Sequence, residues 1–314
     1  MTSVNKSGFR HEVLFYGSDE EFLEGTVSLV REGLDAGGPS LVAVGRSKSE
    51  LLRGELGDAA EGVEFVDMEL VGRNPARIIP VWRDFLERTA SSVNAPVLGI
   101  GEPAWPGRDP VELEECRRHE ALLNLAFARG REWSLLCPYD SAALDDEVLE
   151  QACESHSHVR SHGARVDSPT WSGSVNGHSP FEGHLPEAPR DARTVEFGRD
   201  GLAQARALVA REAALAALPY DRGPDMVVAI GELAANSVRH GGGRGTLRVW
   251  RELDTLVAEV RDRGTIEQPL VGRRRPGAAQ EGGRGLWMVN QLCDLVQIRS
   301  GPEGTGVRVR MGLV

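Results

Sequence analysis

Short, mainly apolar runs recur along the first half of the chain at Val13–Tyr16, Ser40–Val44, Val63–Val66, Val97–Ile100 and Ser134–Cys137. Each is bounded by Gly, Pro or polar residues, the pattern of strands buried on both faces. Between them lie segments of helical period: Asp19–Asp35, Pro75–Thr89 and Val111–Arg129. In the last of these, Leu113, Cys116, Leu122, Leu123, Ala126 and Phe127 make one apolar stripe. Strand and helix in alternation predict an α/β, doubly wound, mainly parallel sheet with helices on both faces.

From Ser155 to Pro189 the pattern lapses into a Ser-, Gly-, His- and Pro-rich stretch with a period of neither 2 nor 3.6. A mobile linker is expected there, because so few aliphatic residues cannot offset the ordering entropy. Beyond it the order changes. Asp200–Leu218 and Pro224–His240 read as helices, and Thr246–Trp250 with Leu256–Asp262 as a hairpin across Leu253-Asp254. A helix at Gly285–Cys293 then precedes strands Leu295–Arg299 and Val307–Met311. Helices over one sheet of this kind predict an α+β two-layer sandwich. The expected organisation is thus 1–154, a linker at 155–189, and 190–314.

Charge supports the division: residues 1–154 carry a net −14 and residues 155–314 a net +3, giving −11 for the 314 residues. An acidic chain of this kind is not expected to bind nucleic acid directly. No apolar stretch reaches about 18 residues, so no membrane span is expected. Met1–Arg10 lacks the apolar core of a secretory signal, and Cys116, Cys137, Cys153 and Cys293 form no close CxxC pair. A cytoplasmic location is the expectation.

The chemistry concentrates after residue 230. Glu232, Asn236 and His240 fall at i, i+4 and i+8, so they share one helix face, while Met226, Ile230, Leu233 and Ser237 form another stripe suited to face the sheet. An amide oxygen is a hard ligand suited to Mg²⁺, and a carboxylate one turn away can orient or deprotonate a hydroxyl. Leu256, Ala258 and Val260 alternate on one strand face and place Asp262 at its end, before Arg263-Gly264. A carboxylate at the edge of an apolar floor suits an exocyclic amine such as that of adenine. Thr265–Gln280, with three consecutive arginines from Arg273, has no regular period and reads as a mobile lid whose arginines could face phosphate. Gly282-Gly283-Arg284-Gly285 then opens a helix, presenting backbone N–H groups to an anion.

Taken in order, GELAANSVRHGG, VRDRG and GGRGLWMVNQLCD resemble the N box and the two glycine boxes of the Bergerat-type (GHKL) ATP-binding fold, and the tail DLVQIRSGPEGTGVRVRM is most similar to the RsbW-type anti-sigma factor serine kinases. The resemblance covers roughly residues 190–314. It implies Glu232 as the catalytic carboxylate and Asn236 as the Mg²⁺ ligand. It further implies Asp262 at adenine with Gly264 beside it, Gly283, Gly285 and Leu286 around the nucleotide, Thr305 near the base, and His240 at the helix end. ATP and Mg²⁺ are the implied cofactors. A sigma factor and a STAS-domain anti-anti-sigma factor are the implied partners, and homodimerisation is a further expectation of the same origin. Two positions depart from the pattern: the second glycine of Asp-x-Gly-x-Gly is Ile266, and Asn236 is followed by Ser237 where alanine is usual. A β-branched residue does not take φ > 0 cheaply, so the loop after Gly264 is expected to follow another path.

The first half, through HEVLFYGSDEEFLEGTVSLVREGLDAGGPSLVAVG, GEPAWPGRDPVELEECRRHEALLNLAF and LLCPYDSAALDDEVLEQACESH, resembles the MEDS sensory domain, a resemblance that supplies no ligand. Gly45-Arg46-Ser47-Lys48-Ser49 echoes a phosphate-binding loop but lacks its glycines, so a plain βα loop is expected. His156, His158 and His162 are read as part of the solvated linker rather than as metal ligands. The Trp105 loop is expected to pack on the sheet. The whole reads as a signal-responsive regulator with an ATP-binding, anti-sigma-like domain that phosphorylates an antagonist. A non-catalytic module that sequesters a partner is the alternative, with a sensor histidine kinase third.

Overall fold

The computed structural model describes residues 8–90, 95–161, 164–171, 180–277 and 283–313. The chain divides into two units, Met1–Gly177 and His178–Val314.

The first unit runs β1 (Phe9–Tyr16), α1 (Asp19–Asp35), β2 (Ser40–Val44), α2 (Arg46–Leu56), β3 (Val63–Asp67), α3 (Met68–Val71), α4 (Ile78–Arg88), β4 (Leu98–Gly101), α5 (Pro110–Ala126), β5 (Trp133–Asp140), α6 (Asp146–Ser155), β6 (His158–Ser161) and β7 (Ala164–Asp167). Its helices begin where the sequence offers caps. Ser18 accepts from the Glu21 N–H ahead of α1, and Asp109 and Glu112 form a reciprocal capping box with Pro110 in the first turn of α5. Among the described residues seven strands form one sheet in the order β3-β2-β4-β5-β1-β6-β7, parallel throughout except for β6 with β7. Alternate strand residues point to opposite faces. Leu14, Val42, Ile100 and Leu136 pack under α1 and α2 with Phe22, Val30 and Leu52. On the other face α4 lays Trp82 over the side-chain-free surface of Gly99 and Gly101. Each fully buried aliphatic of this kind contributes about 1.5–3 kcal/mol.

Strands β6 and β7 correct the expectation of a mobile linker from Ser155. They join the sheet edge through charge rather than through apolar burial: Glu12 on β1 accepts from Arg160 Nε at 2.6 Å and Arg165 Nε at 2.9 Å. Hydropathy could not register a strand fixed in this way. His162 and residues 172–179 lie outside the described residues.

The second unit runs β8 (Arg193–Gly198), α7 (Leu202–Leu215), α8 (Arg222–His240), β9 (Arg244–Glu252), β10 (Thr255–Asp262), α9 (Arg284–Leu292), β11 (Leu295–Gly301) and β12 (Gly304–Gly312). Among the described residues five strands make an antiparallel sheet in the order β11-β12-β10-β9-β8. Val209, Ala213, Met226, Ile230, Leu233 and Val289 from the helices meet Leu247, Val249, Leu256, Ala258, Val260 and Val309 from the sheet in one core. On the opposite face Glu259 is fully buried under Arg308, which also donates to the Pro186 carbonyl.

Two further corrections arise here. Phe181 and Leu185, within the expected linker, are buried in this unit, and the Phe181 carbonyl accepts from Ser300 N–H on the edge strand β11. The described part of the expected lid is also tied down: the Gly272 carbonyl accepts from Asn290 Nδ2 at 3.0 Å and Arg273 is buried. Residues 278–282, which include Gln280 and Gly282, lie outside the described residues.

Candidate functional site

Helix α8 stays continuous to His240 because no Gly or Pro interrupts it between Glu232 and that residue. Met226, Ile230, Leu233 and Ser237 are buried against the sheet, which leaves the Glu232, Asn236 and His240 edge facing α9. Gly285 comes directly against that edge. A Cβ built on Gly285 would stand 2.8 Å from Glu232 Oε2 and 3.2 Å from Asn236 Nδ2, so only glycine lets α9 approach there without displacing those groups. Gly283, the residue before α9, takes φ = 76°, a left-handed conformation that suits glycine, and provides no side-chain cap to the helix N–H groups.

Asp262 ends β10 opposite Thr305 on β12. Its carboxylate is clamped: Oδ2 accepts from Ser237 Oγ at 2.5 Å and Oδ1 from Gly264 N–H at 2.8 Å. Ser237 is the residue whose role the sequence reading missed. It sits in the sheet-facing stripe, and its only legible signal was a hydroxyl amid apolar neighbours. Gly264 is held close to the end of α8, where a Cβ would come within 2.7 Å of the His240 carbonyl.

The loop after Gly264 does take another path. Ile266 avoids positive φ, packs its side chain on the core and donates its N–H to Ser300 Oγ at 2.8 Å. Ser300 Oγ lies 2.7 Å from Thr305 Oγ1, which donates to the Gly264 carbonyl at 2.8 Å. Thr305 therefore spends its hydroxyl on holding the glycine turn.

Asn236, His240, Asp262, Gly264, Leu286 and Thr305 line one cavity of ≈ 100 Å³, whose remaining wall includes Leu233, Val260, Ile266 and Val307. Gly285 stands beside it against Asn236, and Glu232 meets the same glycine. An apolar cavity with a clamped carboxylate in its wall, next to an amide and a carboxylate, is suited to a purine with a charged tail. Residues 198–311 match the histidine kinase-like ATPase domain family, and residues 10–157 match the methanogen/methylotroph, DcmR sensory domain (MEDS) family. The chain joins a MEDS domain to a histidine kinase-like ATPase domain.

Twelve chains of solved structures match the chain. One, the RsbU and RsbW domains of Rv1364c from Mycobacterium tuberculosis, is 20% identical, with 38% of this chain and 32% of that one covered and a TM-score of 0.29. The match thus spans about a third of that structure. Among curated proteins none matches. An ATPase domain implies a nucleotide, usually with Mg²⁺, and the donor set fits. Asn236 offers a hard amide oxygen, Glu232 a carboxylate, and the surface of Gly285, bare of a side chain, leaves room between α8 and α9. Among the described residues no helix is long and apolar enough to cross a membrane.

In the MEDS domain, the loop that echoes a phosphate-binding motif is occupied by its own side chains. Lys48 pairs with Glu102 at 2.5 Å and bonds the Tyr16 hydroxyl, and Tyr16 donates to Glu102 at 2.6 Å. Burial and the neighbouring Glu102 push the Tyr16 phenol far up.

Proposed function

We propose that the chain is a signal-responsive regulator whose ATPase domain is an RsbW-like serine kinase of the Bergerat (GHKL) type, acting on a STAS-type anti-anti-sigma factor and controlling access to a sigma factor. The observation that carries this reading is the contact of Gly285 with both Glu232 and Asn236, one helix turn apart on α8. In this reading the adenine amine donates to Asp262, held in place by Ser237 and Gly264. Asn236 holds Mg²⁺, which when bound offsets the phosphate charge. The uncapped N–H groups of α9 after Gly283 receive phosphate oxygens. Glu232 accepts the proton of the antagonist's serine hydroxyl as that oxygen bonds the γ-phosphorus and the bond to ADP breaks. The MEDS domain supplies the signal input.

A second reading, a module that sequesters its partner without catalysis, is favoured by Ile266 in place of glycine and by the small volume of the cavity. A sensor histidine kinase ranks third because the helix before the site, Leu202–Leu215, carries no histidine as phosphoacceptor. Incubation of the full chain with labelled ATP and a candidate STAS protein separates them. Phosphotransfer to serine that is lost in Asn236→Ala supports the kinase, whereas nucleotide heat without transfer supports the module. Transfer unchanged by Asn236→Ala overturns the site.

A further inference from the structure

The interior of the MEDS domain holds a cluster that neither the nucleotide reading nor its family assignment uses. His11 on β1, Glu120 on α5, Cys137 on β5 and His156 at the end of α6 are each at most 2% exposed. They come from positions far apart in sequence, and one ligand atom from each lies within 4.8 Å of the others. Glu120 Oε2 stands 3.0 Å from His11 Nε2, 3.2 Å from His156 Nε2 and 3.7 Å from Cys137 Sγ, and His11 Nε2 lies 3.3 Å from Cys137 Sγ. A tetrahedral Zn²⁺ with ordinary Zn–N, Zn–O and Zn–S lengths has ligand-to-ligand edges of about 3.3–3.7 Å, so these four separations match it to within tenths of an ångström, and the remaining two lie within 4.8 Å.

The outer hydrogen bonds fix what the imidazoles present inward. Asn124 donates through Nδ2 to the Ser155 carbonyl, which turns its Oδ1 toward His11 Nδ1 at 3.2 Å. His156 Nδ1 meets the Ala152 carbonyl at 2.7 Å. Both partners only accept, so each Nδ1 carries a proton and Nε2 is the ring atom that each imidazole presents to the centre. Two imidazole nitrogens, a carboxylate and a sulfur therefore converge. Among the described residues the buried Glu120 Oε1 has no hydrogen-bond partner. A carboxylate oxygen left without a partner in a dry interior is expensive without a cation.

We propose that His11, Glu120, Cys137 and His156 form a closed, four-coordinate site for a divalent metal of the Zn²⁺ class. As the metal binds, the Cys137 S–H bond breaks, its proton leaves to solvent, and the thiolate sulfur bonds the metal. With thiolate and carboxylate the site is electrically neutral, which suits its burial. All four positions are taken by protein, so the metal ties β1, β5, α5 and α6 together and leaves no place for a substrate.

The test is titration of the full chain, stripped with a chelator, with Co²⁺ as probe. One Co²⁺ per chain is expected, with intense tetrahedral d–d bands and a thiolate-to-cobalt charge-transfer band, both bleached by Zn²⁺. Cys137→Ser should lose the charge-transfer band, which excludes the other three cysteines, and Glu120→Gln should weaken binding at least tenfold. Asn236→Ala should leave the spectrum unchanged. Circular dichroism of each variant reports folding, and the unsubstituted chain is decisive by itself. Failure to bind a stoichiometric tetrahedral ion overturns the proposal, as does retention of the charge-transfer band in Cys137→Ser.

Discussion

Replacing Gly285 by alanine separates a glycine needed by the fold from one needed by a ligand. The residue lies within α9 and avoids positive φ, so alanine suits its backbone. In a helix the exchange gains up to about 1 kcal/mol, less near the terminus. Against this, the new methyl would sit 2.8 Å from Glu232 Oε2 and 3.2 Å from Asn236 Nδ2. To restore ordinary contact the carboxylate must retreat by roughly 0.6 Å, a small rotation at the free end of a flexible side chain. The two effects nearly cancel in stability, so the thermal midpoint should move by no more than a few degrees. For a nucleotide the outcome differs, because the methyl occupies the space between amide, carboxylate and helix start. Loss of at least tenfold in Mg·ATP affinity is expected, equivalent to about 1.4 kcal/mol. Calorimetric titration beside a thermal scan reads both quantities. Unchanged ATP affinity in a folded Gly285→Ala protein would refute the assignment of this cleft to the phosphates.

Ser237→Ala removes a buried donor to Asp262 and should destabilise the ATPase domain by about 1.5–3 kcal/mol, read as a shift of denaturant midpoint, whereas the half-exposed Asn236→Ala should leave that midpoint nearly in place. Burial pushes the Glu12 carboxyl up, but hydrogen bonds from Arg165 and Arg160 outweigh this and hold it below its usual value of 4.5. Its contribution is therefore full above that value and disappears as pH falls through the lowered folded value; thermal midpoints from pH 6 downward should drop less steeply in Glu12→Gln than in the unsubstituted chain. Leu253, 92% exposed, holds φ = 48° in the β9–β10 turn, a conformation unfavourable for leucine, so Leu253→Asn should raise stability by about 0.5–1 kcal/mol in a denaturant melt.

Elements built by apolar burial were legible in the chain. Asp19–Asp35 and Ser40–Val44 carry the same bounds in sequence and structure, and the turn across Leu253-Asp254 is where the hairpin bends. The order of Glu232, Asn236, Asp262 and Gly285 was also legible, since helix and strand periods place such residues without reference to distant partners. What escaped was fixed by charge or by long-range contact. Strands β6 and β7 depend on Glu12, nearly 150 residues earlier in the chain. His156 read as one of several linker histidines because its neighbours His11, Glu120 and Cys137 are adjacent only once the sheet has formed. Ser237 looked like a departure from pattern until Asp262 stood opposite its hydroxyl.

The stretch around Phe181 and Leu185 bears on where the ATPase domain may be cut. A fragment starting at residue 190, where the hydropathy pattern resumes, would discard the carbonyl that Arg308 grips, the Phe181 partner of Ser300, and the leucine that shields Gly306. Glu259 and its arginines would then lie wet on a naked β-face flanked by an unguarded rim, the template on which sheets stack into aggregates. A fragment beginning at 180 keeps that shield.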